Sequence, residues 1–186
     1  MHKQRRPNSN KQSGFTLVEL LVVLAVSAII LSIAAPSFAN IVANNRVTAA
    51  ANDLVIALNL GKSEAVRSGN PTVLCQSSNG TSCGGDQTAW ANGWVLFNDA
   101  DGDDTLDAGE RLIRVHSALN PQLAFRLNEG DNSSFITFSP AGRANRNGSF
   151  CFENSYNASK SKMIVITQVG RFRTETWDSS GNCSAS

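Results

Sequence analysis

Two segments of this 186-residue chain carry enough charge of one sign to do chemistry. Between residues 143 and 173 lie Arg143, Arg146, Lys160, Lys162, Arg171 and Arg173, with Glu153 as the sole acid. Within Gly170-Arg171-Phe172-Arg173, strand alternation puts Arg171 and Arg173 on one face and Phe172 on the other. Phe172 can then anchor the strand in a core while both guanidiniums project, and Gly170 gives the preceding turn its freedom. Spaced arginines are suited to anions, and a phosphate backbone is their natural ligand. The competing reading is a solvated face of a small sheet.

The second segment is acidic. In Asn98–Glu110, the residues Asp99, Asp101, Asp103, Thr105, Asp107 and Glu110 fall at positions 1, 3, 5, 7, 9 and 12 of an EF-hand loop. Position 6 is Asp104 where the sharp turn calls for glycine, and no helices flank the loop. The sequence therefore favours a hydrophilic hairpin tip, and no metal or other cofactor is expected. No G-x-S-x-G, H-E-x-x-H or phosphate-loop motif occurs. His116 sits among apolar residues near a strand end, where a structural role is expected. An enzyme with a small-molecule substrate is not indicated.

One further carboxylate stands out. The run Gly14–Pro36 is apolar, yet it carries Glu19. An ionised side chain in a bilayer costs roughly 2.5–3.5 kcal/mol on insertion scales, so Glu19 needs a partner. Thr16-Leu17-Val18-Glu19 also fits a capping box, in which the glutamate reaches back to the helix start. An alternative is an ordinary secretory signal cut after Ser37-Phe38-Ala39.

These side chains must be positioned by elements of two kinds. Residues 1–13 are polar and hold Lys3, Arg5, Arg6 and Lys11 with no acid, so they read as a targeting leader. The net charge of +1 hides this asymmetry, since the rest of the chain has 12 basic against 15 acidic residues. From Phe15 to Ala39 the chain is long enough to span a bilayer. Basic residues before the span and almost none just after it predict a cytoplasmic amino terminus. Pro36 predicts a kink or local melting. Helical periodicity resumes with the stripe Val47, Ala51, Leu54, Leu58, Gly61 and Ala65, while Asn44, Arg46, Asp53, Lys62 and Glu64 lie on other faces. Gly69-Asn70-Pro71 ends the helix.

After Pro71 short β-like runs alternate with turns. Strands are expected at 72–76, 93–98, 111–116, 123–127, 134–138, 149–153, 163–169 and 171–177. The fold class is therefore α+β, a long N-terminal helix whose amphipathic half packs on an antiparallel β head. The organisation expected is leader 1–14, helix 15–70 with a membrane segment 15–39, and head 71–186, without internal repeats. Cys75, Cys83, Cys151 and Cys183 form no C-x-x-C. An even count after an apolar export segment reads as two disulfides. Proximity suggests Cys75–Cys83 and Cys151–Cys183, one of three connectivities; four free buried thiols are the alternative.

Gly14-Phe15-Thr16-Leu17-Val18-Glu19 after a basic leader resembles the signal of type IV pilins and type II secretion pseudopilins. The resemblance implies that a membrane prepilin peptidase cuts after Gly14 and that Phe15 becomes N-methylated. It implies that Glu19 pairs with the α-amino group of a neighbouring pilin subunit, which supplies the missing partner. The segments Ser63–Pro71, Phe138–Phe152 and Ile164–Arg173 are similar to the GspH/FimT family of minor pilins and pseudopilins. FimT-like members linked to natural transformation carry a Gly-Arg-x-Arg segment that matches Gly170, Arg171 and Arg173. This implies a minor pilin that starts in the inner membrane with a periplasmic head, enters an extracellular pilus and captures DNA for uptake. The alternative within the family is a type II secretion pseudopilin that primes a filament and binds no DNA.

Overall fold

The computed structural model describes residues 14–84, 89–121, 123–127, 134–154 and 157–177. The expected leader, apart from Gly14, and Cys183 lie outside the described residues. Two units are distinguished, residues 1–39 and residues 40–186. In the first, helix α1 (Leu17–Ser68) begins, and its apolar side chains up to Phe38 are exposed. Its length and composition are sufficient to cross a membrane. The expected melting at Pro36 does not occur, because α1 continues through it. One missing hydrogen bond does not stop a helix already propagating on both sides.

The second unit contains the remainder of α1 and eight strands. These are β1 (Thr72–Gln76), β2 (Gly93–Asn98), β3 (Arg111–Ser117), β4 (Leu123–Leu127), β5 (Phe135–Phe138), β6 (Gly148–Asn154), β7 (Ser161–Ile166) and β8 (Phe172–Trp177). They form two antiparallel sheets, ordered β3-β2-β1-β5 and β4-β6-β7-β8. Strand β7 stops at Ile166, three residues before the expected end. The chain turns at Thr167, where Thr167 N donates to Arg171 O at 3.1 Å, and Val169 is left exposed.

The α1 stripe reads as expected, with Val47, Ala51, Leu54, Leu58, Gly61 and Ala65 all buried. Small residues let the sheet approach closely. A Cβ on Gly61 would lie 2.9 Å from Leu96 Cδ1 and 3.1 Å from Phe138 Cδ2. Glu64 departs from the expected polar face and is buried. It is paired with Arg67 on its own helix and with Arg111 at the start of β3, which offsets the cost of burying its charge. Around the helix, Trp90, Phe125, Phe138, Phe150 and Phe152 complete one core. Smaller apolar clusters line the other side of each sheet. Cys75 and Cys83 are bonded, with Cα atoms 5.6 Å apart. Cys151 is disulfide-bonded as well.

Candidate functional site

The Gly-Arg-x-Arg segment begins at the β7–β8 turn. Phe172, opposite Ile166 on β7, meets Phe138 edge-on, with ring centroids 5.8 Å apart. Arg173 is opposite Val165, on the other side of the sheet. For Phe172 and Arg173 the expected alternation holds, with Phe172 turned to the core and Arg173 turned away from it. Arg171 precedes the strand and is exposed. Gly170 has φ 71°, a conformation that disfavours any residue with a Cβ.

Arg143 reaches the same region by a separate route. The chain leaves β5, turns at 139–143 and forms a bridge between Ala144 and Phe138. Ala144 N donates to Gln168 O at 3.1 Å, and Gln168 N donates to Asn147 Oδ1 at 2.7 Å. The segment after β5 thus docks on the β7–β8 turn. Beside them, across the ends of β6, β7 and β8, opens a cleft of about 340 Å³ lined by Asn147, Ser149, Val165, Thr167 and Arg173. Arg143 is exposed, and among the described residues neither its side chain nor that of Arg171 meets an acid. Arg173 Nε donates to Glu175 Oε1 at 2.6 Å. An exposed pair of this kind contributes about 0–1 kcal/mol, so an incoming phosphate can compete for the guanidinium.

The other basic residues are placed elsewhere. The guanidinium of Arg146 lies over the Phe135 ring, 5.4 Å from its centroid. Lys160 and Lys162 are at the start of β7, whereas Arg171 follows its far end, roughly 20 Å away for a strand of this length. Lys162 is opposite Phe152 and Thr176, in register with the residues that face α1. These two lysines do not join the arginines.

Two residues that sequence reasoning passes over belong to this region. Glu175 lies one alternation beyond Arg173, which the two-residue period could have flagged. Lys62 donates from Nζ to Gly170 O at 2.7 Å, a contact across 108 positions that no local pattern reveals.

The acidic loop connects β2 to β3. Oxygens of Asp99, Asp101 and Asp103 lie within 4.8 Å of one another. Asp99 is buried and accepts from Gly102 N at 2.8 Å and Asp104 N at 3.2 Å. Glu110 accepts from Ala100 N at 2.7 Å and Asp107 N at 3.1 Å. Asp104, at the position where the sequence lacks glycine, takes φ 63° and accepts from Thr137 Oγ1 at 2.6 Å. Burial raises the Asp99 carboxyl above its ordinary value, while the Thr105 hydroxyl bound to Asp103 holds that carboxyl below its own. The carboxylates of Asp99, Asp103 and Glu110 are used by the loop's own backbone and the Thr105 hydroxyl, and that of Asp104 by Thr137 on β5.

His116 stacks on Trp94, with centroids 4.8 Å apart. Its Nδ1 donates to Ser117 O at 2.6 Å, and Nε2 lies 3.6 Å from Asp53 on α1. The imidazole fastens β3 to the helix. At the other end of the chain, Thr16 N donates to Glu19 Oε2 at 3.4 Å and Glu19 N donates to Thr16 Oγ1 at 3.2 Å. This is the reciprocal capping box.

The family model for type II transport protein GspH matches residues 50–170, well over half of the chain. That for the prokaryotic N-terminal methylation motif matches residues 9–35. Among solved structures, the type IV minor pilin FimU of Pseudomonas aeruginosa (strain PAO1) is similar, with 20% identity and a TM-score of 0.54, over 74% of this chain and 92% of its own. The minor pseudopilin EpsH from the Type 2 Secretion System of Vibrio cholerae is similar with 10% identity and a TM-score of 0.52, over 70% of this chain and 97% of its own. No curated protein sequence matches this chain. At these identities the two structures speak to the fold, a long helix packed on antiparallel sheet. By its family match, its methylation motif and that fold, the chain belongs to the GspH family of pilin-like proteins.

Proposed function

We propose that this protein is a minor pilin of a type IV pilus whose head binds extracellular DNA for uptake. The observation that carries the DNA reading is the meeting of two chain segments at one place. Arg143 and Arg171 are both exposed on turns docked against each other, and Arg173 lines the adjoining cleft. Such groups address phosphate, so binding is independent of base sequence and falls with salt. Of the basic residues in this half of the chain, Arg143, Arg171 and Arg173 form the contact set, with Gly170 shaping the turn.

In this reading, prepilin peptidase cuts after Gly14 and Phe15 becomes the methylated terminus. The head lies in the periplasm while α1 is in the inner membrane, and the subunit then enters the filament. Glu19 docks on the free amine of a neighbouring subunit. The capping box supports that role, because it aims the carboxylate back toward the chain start. Mass spectrometry of the mature protein tests the processing: methylated Phe15 is expected, and a terminus near Asn40 would overturn it.

The DNA reading is tested with the full chain in an uncharged detergent. Fluorescence anisotropy against duplex DNA should show weaker binding for Arg171→Ala/Arg173→Ala. The slope of log affinity against log salt should become shallower by up to about 2, at about 0.9 for each phosphate no longer neutralised. Unchanged binding removes the DNA role. A second reading is a type II secretion pseudopilin, favoured by the GspH family match and by the likeness to EpsH. It predicts no DNA binding even by the unaltered chain.

A further inference from the structure

We infer that Lys62 is a positioning residue that locks two like-built Gly-Arg turns together, so that Arg143 and Arg171 engage one polyanion as a unit. The inference rests on the phosphate-binding reading above. Its observation is separate: a repeated turn and the lysine between the copies.

The turns are Ser139-Pro140-Ala141-Gly142-Arg143 and Thr167-Gln168-Val169-Gly170-Arg171. Each opens on a hydroxyl residue and closes on Gly-Arg. In the first, Ser139 N donates to Arg143 O at 2.9 Å, and Gly142 N donates to Ser139 O at 2.8 Å. In the second, Thr167 N donates to Arg171 O at 3.1 Å, and Gly170 N donates to Thr167 O at 2.7 Å. The hydroxyl accepts the arginine amide in both, Ser139 Oγ at 3.3 Å and Thr167 Oγ1 at 3.2 Å. The glycines share one conformation, φ 72° and 71°. An S/T-x-x-G-R unit thus occurs twice, once after each sheet's contribution to the region.

The copies meet glycine to glycine. A Cβ on Gly170 would overlap Gly142 O and lie 3.1 Å from Lys62 Nζ, and a Cβ on Gly142 would lie 3.2 Å from Lys62 Cε. The lysine stem therefore packs on the first turn while its ammonium is bonded to the carbonyl of the second. That ammonium gives one of its three donors to the Gly170 carbonyl, and the role assigned to Lys62 is to hold the turns and not to contact phosphate. Its effect is pre-organisation. Two arginines on turns free to slide must be ordered at each binding event, and locked turns avoid that cost.

The test uses duplex DNA and the full chain in uncharged detergent. Lys62→Met keeps the stem and removes the donor. It is expected to weaken binding about threefold to tenfold while leaving the salt slope unchanged. Gly142→Ala intrudes on the lysine without altering charge but also puts a Cβ at φ 72°. It should therefore reproduce the loss at temperatures where unfolding curves show the fold intact, and Lys62→Gln serves if Lys62→Met folds poorly. In the Arg143→Ala/Arg171→Ala background, Lys62→Met should have no further effect. The inference is overturned if the affinity of Lys62→Met and Gly142→Ala equals that of the parent while Arg171→Ala/Arg173→Ala still weakens it. A slope shallower by about 0.9 for Lys62→Met would make it a direct contact and overturn the inference too, as would an undiminished loss in the double-arginine background. If Arg171→Ala/Arg173→Ala itself binds normally, the underlying phosphate reading fails instead.

Discussion

The acidic loop at 98–110 and the paired turns at 139–143 and 167–171 are both charge-rich connections in the same unit. They handle charge in opposite ways. In the loop, Asp99 and Glu110 point their oxygens at backbone amides of Gly102, Asp104, Ala100 and Asp107. Its acids replace the hydrogen bonds that a tight irregular path would otherwise lack. In the turns, serine and threonine hydroxyls perform that task, and the arginine side chains are left to solvent. Here the arginines remain available to a ligand because neutral groups have already satisfied the backbone of their turns.

Substitutions can break this contrast. The largest effect is expected for Gly170→Ala, which places a Cβ at φ 71° and onto the Gly142 carbonyl. A loss of about 3 kcal/mol is expected in urea unfolding, together with weaker DNA binding. Asp99→Ala should cost about 1–2 kcal/mol, since two amides lose their acceptor, and should leave DNA affinity unchanged at temperatures where the fold persists. Thr167→Val removes only the hydroxyl of one turn and should cost about 1 kcal/mol. Arg171→Ala/Arg173→Ala should change stability by no more than about 0.5 kcal/mol. A large stability loss there would place the arginines in the same class as the loop acids and erase the distinction.

The smallest effect concerns pH. The Asp99 carboxyl is raised above its ordinary 3.8 by burial, so the folded state holds its proton more tightly than the unfolded chain. Its contribution to stability falls as pH rises from 3.8 through the folded value. Asp103 is lowered from 3.8, and the stability it contributes above that value is lost as pH falls through its folded value. Relative to Asp99→Asn, the parent should therefore lose stability just above the ordinary aspartate value. Unfolding midpoints compared between about pH 3 and pH 6 check the sign, and a parent that gains on the variant over that window would contradict it.

Much of the frame is legible in the residues. β1, β2 and β4 begin and end where turn formers bound apolar runs. The α1 stripe follows from steps of three and four because that spacing alone keeps side chains on one helix face. Sequence reading overruns a boundary where a turn supplies hydrogen bonds that mimic strand continuation, as at Thr167. It misplaces Glu64 because the partner Arg111 is distant in sequence. It extends the basic cluster too far at Lys160 and Lys162, since cations close along the chain can sit at opposite ends of one strand.

The order of residues alone determined a glutamate-bearing apolar helix behind a basic segment, an amphipathic continuation and a set of short strands. Those depend on local periodicity and on the chemistry of neighbours a few positions apart. Tertiary structure decided which charges share a surface. The division into two sheets, the docking of one Gly-Arg turn on the other and the lysine beneath them join residues from 28 to 108 positions apart. Such contacts form only when burial of the common core brings the segments together, because no local interaction repays closing loops of that length.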